Sequence, residues 1–165
     1  GRIWVAEMRG YMPNVDGDGE DAPIDTIAVL SDTNGDGRMD KRIEFADGLV
    51  MPRALALVGD GVLVAAPPTL WHMRDTDGDD IADERIVISE TYGSRRSPEH
   101  TANGLIWGLD NWIYNANDDE RYHWSQGEWT SAPAPDPAPS AAAAMWSERS
   151  ATREGDGATA RTALT

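Results

Sequence analysis

Three copies of one strand-like pattern lie within residues 1–130, and this internal repeat is the feature that most limits the possible folds. The first strand of each copy lies at residues 3–6, 62–65 and 113–116. These short runs are rich in Val, Ile and aromatic residues and are separated by Gly, Asp and Asn, which is typical of strands. The copies are spaced close to the roughly 40–50 residues of a propeller blade, with extra length between Ala6 and Ile27.

Further strands follow the first strand of each copy. Second strands are predicted at residues 27–30, 70–73 and 121–124, and third strands at residues 42–45 and 85–88. About two and a half four-stranded blades are therefore present, whereas a closed propeller needs typically 4–8 blades. The pattern predicts an all-β fold in which residues 1–130 form the N-terminal part of a β-propeller. The alternative is a small antiparallel sandwich whose strands are similar by coincidence.

Two acidic segments, residues 32–40 and 75–83, have the same spacing of oxygen-bearing side chains at loop positions 1, 3, 5 and 9. A Ca²⁺ ion takes six to eight oxygen ligands, and the main-chain carbonyl at position 7 can supply another. The spacing therefore predicts two calcium sites. The predicted ligands are Asp32, Asn34, Asp36, Arg38 and Asp40 in the first loop, and Asp75, Asp77, Asp79, Ile81 and Asp83 in the second.

These loops differ from EF-hands, which need a bidentate Glu at position 12 and flanking helices. Position 12 is Ile43 in one copy and Ile86 in the other, and strand-like residues flank both. Each loop is expected to join two strands of a blade, and both resemble the calcium loops of integrin-type propellers. Position 6 needs a left-handed backbone, which favours Gly37 over Asp80, so tighter binding is expected at the first site. The alternative is a pair of solvated acidic turns.

The composition changes after residue 130. Residues 131–165 begin with alternating Pro, continue with four consecutive Ala and contain few large apolar residues. Because Pro cannot donate a ladder hydrogen bond and little apolar surface is available for burial, this segment is predicted to be a disordered tail or linker. The alternative is that this segment is not native coding sequence and results, for example, from a frameshift in a GC-rich gene.

The charge balance excludes several partners. The chain has 29 Asp and Glu against 14 Lys and Arg, which repels nucleic-acid phosphates and anionic lipids. It has no Cys, so disulfides, thiolate zinc sites and haem attachment are excluded within it. No apolar run approaches membrane-spanning length, so no membrane insertion by this chain is expected. No signal peptide is visible, and any targeting segment would lie upstream.

His100 is the candidate catalytic residue. It precedes the first strand of the third copy, and in propellers such connections surround one mouth of the central channel. An imidazole with a near-neutral pKa can accept a proton from a substrate hydroxyl, and the neighbouring Glu99 would raise its basicity. The alternative is a histidine that makes a hydrogen bond between blades. His72 and His123 lie in second strands and are interpreted as packing residues.

Three segments carry a resemblance to a known family. They are residues 4–11, 47–55 and 99–105, and the pattern from His100 to Tyr114 extends the third. Over residues 1–130 the chain resembles the membrane-bound dehydrogenase domain of planctomycete-type bacteria. This domain is related to the soluble quinoprotein glucose/sorbosone dehydrogenase β-propellers.

The resemblance implies a dehydrogenase that oxidises a sugar or polyol with pyrroloquinoline quinone (PQQ). The matching histidine of that family is the general base, which implies this role for His100. Arg53 and Asn103 are the candidate cofactor-binding residues, although Arg53 could instead be a solvated charge. The resemblance also implies a periplasmic or extracellular location and, in the full-length protein, a downstream cytochrome c module.

This fragment alone is expected to be inactive, because a propeller pocket is built from all the blades. A second hypothesis retains the calcium sites but assigns no catalytic activity to the protein. In it, the chain belongs to a non-catalytic, calcium-stabilised β-propeller that serves as a binding scaffold. Lys and Arg residues in later blades, at the mouth of the channel, would favour the enzyme.

Overall fold

The computed structural model describes residues 1–94 and 98–135. This part of the chain contains eleven strands and no helix, and therefore no helix that could span a membrane. The strands are β1 (Arg2–Glu7), β2 (Asp25–Ser31), β3 (Lys41–Leu49), β4 (Ala54–Val58), β5 (Gly61–Ala66), β6 (Thr69–Arg74), β7 (Glu84–Ser89), β8 (Asn103–Trp107), β9 (Ile113–Ala116), β10 (Glu120–Ser125) and β11 (Glu128–Pro133).

The strands form three antiparallel sheets, each a meander of consecutive strands. The first sheet contains β1, β2 and β3, the second contains β4 to β7, and the third contains β8 to β11. Strand β4 contacts both β1 and β8, so the first strands of neighbouring sheets lie side by side. The chain therefore has the predicted all-β, partial propeller fold.

The strand register reproduces the repeat in the first two sheets. In the first sheet, β1 and β2 pair from Ile3 with Leu30 to Ala6 with Ile27. In the second sheet, β5 and β6 pair from Val62 with Met73 to Ala65 with Leu70. These are the same alignments that the sequence repeat predicts. The first two copies therefore correspond residue by residue, and this correspondence allows their environments to be compared directly.

Three strands were not located from the sequence: β4, β8 and β11. In the first sheet, no strand equivalent to β4 is found within the described residues. Strand β11 continues to Pro133, past the predicted boundary at residue 130. Residues 1–132 form one compact unit; of a second unit, residues 133–165, only the first three are described. The predicted disorder of the tail concerns mainly residues outside the described part.

Two hydrophobic clusters join the three sheets. Successive strand residues point to opposite faces of a sheet, so β5 contributes to both clusters. Val62 and Val64 lie in the cluster shared with the first sheet, whereas Leu63 and Ala65 lie in the cluster shared with the third. We call the face that a sheet presents to the preceding sheet its leading face, and the opposite face its trailing face.

The connections between antiparallel strands alternate between the two ends of the sheets. Loops 32–40 and 75–83 join β2 to β3 and β6 to β7, and we call their end the acidic-loop end. The connection that contains His100 joins β7 to β8 and lies at the opposite end, which we call the His100 end. The loop between β1 and β2 and the loop between β3 and β4 also lie there. The predicted metal loops and the predicted catalytic residue are therefore separated by the length of the strands.

Candidate functional site

The two acidic loops are strand-to-strand connections, as predicted, and they share one backbone hydrogen-bond pattern. In each loop, the carboxylate at position 1 accepts hydrogen bonds from the backbone N–H groups at positions 4 and 6. The donor–acceptor distances are 2.7 and 2.8 Å for Asp32 and 2.6 and 2.9 Å for Asp75. These bonds lower the pKa of both carboxyls, which keeps them in the ionised form that a metal ligand requires.

The carboxylate at position 9 closes each loop onto the threonine at position 2. Asp40 accepts hydrogen bonds from the backbone N–H and the hydroxyl of Thr33, both at 2.9 Å. Asp83 does the same with Thr76, at 2.7 and 2.9 Å. The hydrogen bonds from the threonines lower the pKa of Asp40 and Asp83. Both loops are therefore ordered around ionised carboxylates by their own backbone.

Backbone conformation at position 6 agrees with the sequence prediction. Gly37 has a φ of 85° and Asp80 a φ of 73°. A side chain in this left-handed region is strained, whereas glycine is not. Asp80 also forms an ion pair with Arg2 of the first sheet. The strained residue is therefore held by a contact between sheets.

The acidic side chains converge only in the second loop, within the described residues. Oxygen atoms of Asp75, Asp77 and Asp83 lie within 4.8 Å of one another. Position 3 of the first loop is Asn34, whose Nδ2 donates to Asp36 Oδ2 at 3.4 Å. The convergence of carboxylates favours the second loop, whereas the unstrained backbone favours the first. The expected order of affinity remains a prediction.

Positions 5 and 7 are linked in the same way in both loops. The backbone N–H of Arg38 donates to Asp36 Oδ1, and that of Ile81 donates to Asp79 Oδ1, each at 2.8 Å. Asp79 lies in the second loop but is not one of its three converging carboxylates, which belong to Asp75, Asp77 and Asp83. The remaining predicted ligands lie in their loops, but the loops differ in how far their side chains converge.

At the opposite end, His100 is exposed and next to a buried anchor. Thr101 is 4% exposed, and its Oγ1 accepts a hydrogen bond from the backbone N–H of Ser94 at 2.5 Å. The side chain of Asn103 donates to the main-chain carbonyl of Thr101 at 3.3 Å. Glu99, predicted to act on His100, accepts a hydrogen bond from the Tyr11 hydroxyl at 2.9 Å. The buried threonine thus anchors the backbone that carries His100.

Arg53 directly precedes β4 and is half-buried. Its Nε is buried and has no hydrogen-bond partner among the described residues. Burial lowers the pKa of Arg53, and the nearby Tyr11 and Glu20 oppose this effect. The guanidinium is therefore a partly desolvated cation rather than a fully solvated surface charge. No hydrogen bond or ion pair joins any two of Arg53, His100 and Asn103 in the described part of the chain.

A buried polar cluster near Arg53 was not predicted from the sequence. Tyr92 is fully buried, and its hydroxyl has no hydrogen-bond partner within the described residues. The Tyr122 hydroxyl donates to Asp118 Oδ2 at 3.1 Å. Burial raises the pKa of Tyr92 and of Asp118. Asp118 lies in a polar turn between β9 and β10, where the sequence gives no sign of burial.

Asp25, the first residue of β2, is a second buried acid that sequence analysis missed. It is fully buried, and its carboxylate accepts hydrogen bonds from the backbone N–H groups of Arg9 at 2.6 Å, Gly10 at 2.8 Å and Met51 at 2.5 Å. These donors come from two separate loops at the His100 end. The only signal in the sequence was an acidic residue at the start of an apolar strand.

Comparison with known proteins identifies a family but no individual relative. A family model described as a domain of unknown function (DUF7133) matches residues 1–134. The match includes every described strand, both acidic loops and His100. No curated protein and no solved structure matches the chain.

Proposed function

The chain belongs to the DUF7133 family, and we propose that it is part of a quinoprotein-type sugar or polyol dehydrogenase whose β-propeller is stabilised by calcium. The supporting observation is that the His100 end carries both an exposed imidazole next to a buried anchor and a partly desolvated arginine. The three family-like segments of the sequence support the same proposal. The location would be periplasmic or extracellular, and a cytochrome c module of the full-length protein would receive the electrons.

The residues at the His100 end suit a cofactor that carries carboxylates, as PQQ does. Arg53 offers a buried Nε without a partner among the described residues, and a guanidinium is a natural partner for a carboxylate. Asn103 offers an exposed side-chain amide from the first residue of β8. When bound, the quinone would accept the hydride that leaves the substrate carbon. Arg53 and Asn103 would hold the quinone in place.

His100 would act as the general base of this reaction. It would remove the hydroxyl proton of the sugar or polyol, because a neutral imidazole accepts protons near neutral pH. The hydrogen bond between Ser94 and the buried Thr101 would fix the backbone next to the imidazole. This orientation matters because proton transfer requires the base within hydrogen-bond reach of the hydroxyl.

A His100→Gln variant of the full-length protein tests the proposal. With PQQ, calcium, an artificial electron acceptor and a panel of sugars and polyols, kcat should fall about 10²- to 10⁴-fold, because general-base catalysis contributes this much. Cofactor binding, followed by the quinone absorbance, should be retained. His123→Gln is the matched control and should keep the wild-type rate. Wild-type activity in His100→Gln would rule out the assigned base.

A non-catalytic calcium scaffold is the second candidate. The observation that favours it is the convergence of three carboxylates in loop 75–83. A full-length protein that binds calcium but neither binds PQQ nor oxidises any sugar or polyol would support the scaffold. Both candidates share the calcium loops.

A further inference from the structure

The connection between β1 and β2, residues 8–24, is ordered by hydrogen bonds at both its base and its tip. At the base, the buried carboxylate of Asp25 accepts two of its backbone N–H groups. At the tip, the side-chain oxygen of Asn14 accepts two backbone hydrogen bonds at 3.0 Å. Glu20 accepts a third, from the backbone N–H of Met12 at 3.1 Å. The connection therefore has a defined shape that can hold a side chain in place.

Tyr11 extends from this connection to the one that carries His100. Its hydroxyl donates to Glu99 Oε1 at 2.9 Å, although 88 positions separate the two residues in the sequence. One connection lies within the first sheet, and the other leads from the second sheet into the third. Because β4 of the second sheet contacts both β1 and β8, this hydrogen bond extends over the second sheet at the His100 end.

The hydrogen bond lies close to Arg53, the proposed cofactor-binding residue. Glu99 raises the pKa of Tyr11 through this bond. Glu20 adds to the effect on the Tyr11 pKa and Arg53 opposes it, which shows that both charges are near the phenol. Tyr11 therefore connects the segment of His100, the proposed base, with the surroundings of Arg53.

The backbone beside Tyr11 is strained. The next residue, Met12, has a φ of 49°, in the left-handed region that is unfavourable for residues other than glycine. Its hydrogen bond to Glu20 helps to hold this conformation. Strained backbone persists only where the surrounding structure determines it, and it is common at functional sites. The connection thus holds Tyr11 in a position that the local sequence does not favour.

We propose that Tyr11 is a positioning residue for the proposed dehydrogenase reaction and acts through Glu99 to fix the segment that carries His100. This inference rests on the proposed function. In it, the Glu99 carboxylate is an anchor that accepts the Tyr11 hydrogen bond, rather than a charge that acts on the imidazole. The anchor matters because a small displacement of a catalytic group is enough to slow the reaction strongly.

Kinetics of the full-length protein distinguish these two roles of Glu99. Tyr11→Phe and Glu99→Ala should each lower kcat about 10- to 100-fold and change KM less, because both lose the hydrogen bond. Glu99→Gln should stay close to the wild-type rate, because its amide oxygen still accepts from the phenol although the charge is gone. Combining Tyr11→Phe with Glu99→Ala should cost no more than either change alone. A loss in Glu99→Gln as large as that in Glu99→Ala would overturn the proposal.

Tyr114→Phe is the matched control. The Tyr114 hydroxyl also donates to an exposed carboxylate, Asp110 Oδ2 at 2.7 Å, but in the connection between β8 and β9 at the acidic-loop end. This variant should keep the wild-type rate. Equal losses of kcat in Tyr11→Phe and Tyr114→Phe would show a general effect on the fold and would contradict a specific role for Tyr11.

An NMR titration of isotope-labelled tyrosines in the 165-residue chain follows the hydrogen bond without any redox activity. The Tyr11 signal, identified by its absence from Tyr11→Phe, should titrate above the ordinary pKa of about 10 in the wild type. In Glu99→Ala its midpoint should move to lower pH, because the acceptor that stabilises the neutral phenol is gone. An active full-length protein combined with an unchanged midpoint in Glu99→Ala would overturn this inference alone. A full-length protein without dehydrogenase activity would overturn the proposed function, and the role of Tyr11 with it.

Discussion

At the scale of single residues, Asp25 connects two of the loops at the His100 end. Its buried carboxylate accepts three backbone hydrogen bonds, two from the loop after β1 and one from the loop after β3. Hydrogen bonds to charged groups contribute more to stability than neutral ones, and removing the acceptor leaves buried donors unsatisfied. Asp25 therefore fixes the position of the backbone that leads to Arg53, the proposed cofactor-binding residue.

Replacement of this carboxylate should be costly. Asp25→Ala is expected to reduce the free energy of unfolding by about 3 kcal/mol, because two buried N–H groups and one partly buried N–H group lose their acceptor. Urea unfolding of the 165-residue chain measures this. Asp21→Ala removes an exposed carboxylate from the same loop and should change stability by no more than about 0.5 kcal/mol. Equal stability of the two variants would contradict the assigned role.

At the scale of strands and loops, the sequence predicted the elements whose formation depends on local residue patterns. The eight predicted runs all lie within strands, and the acidic loops connect strands as expected. Strand β8 was missed because Gly104, with a φ of 71°, interrupts its pattern. Asp25, Tyr92 and Asp118 were missed because their burial depends on contacts between distant segments, which no local pattern reports. His72 was correctly interpreted as a packing residue.

His72 lies where β6 meets the third sheet, and it should make this junction sensitive to pH. It is fully buried, with ring centroids 4.8 Å from Trp124 and 5.4 Å from Trp129. Burial lowers its pKa. Because the folded state binds the proton less readily than the unfolded state, the stabilisation is present above the ordinary pKa of about 6.5 and is lost as pH falls.

Urea unfolding between pH 7 and pH 5 tests this sensitivity. Wild type should lose stability over this range, and His72→Phe should lose less because position 72 no longer titrates. Glu7, whose pKa is lowered to about 2 by Arg42, titrates below this range and does not obscure the result. His123→Phe is the control and should keep the wild-type pH dependence. An unchanged slope in His72→Phe would show that another group is responsible.

At the scale of the whole molecule, three repeated sheets place different chemistry at their two ends. The His100 end carries an imidazole and a partly desolvated arginine, whereas the acidic-loop end carries two acidic loops, in the second of which three carboxylates converge. The second of these loops also contacts the first sheet, through Ala82 to Phe45 and Asp80 to Arg2. A cation held there would stabilise both the loop and the junction between sheets, in an enzyme and in a scaffold alike.

Calorimetric titration of the 165-residue chain with calcium is the most direct test of this account. Two ions per chain are expected, and Asp77→Ala should remove the site in the loop where three carboxylates converge. Asp16→Ala, outside both loops, should keep both sites. A hundredfold excess of calcium over its Kd should add about 2.7 kcal/mol of stability for each site. Absence of calcium binding by the wild-type chain would contradict the account.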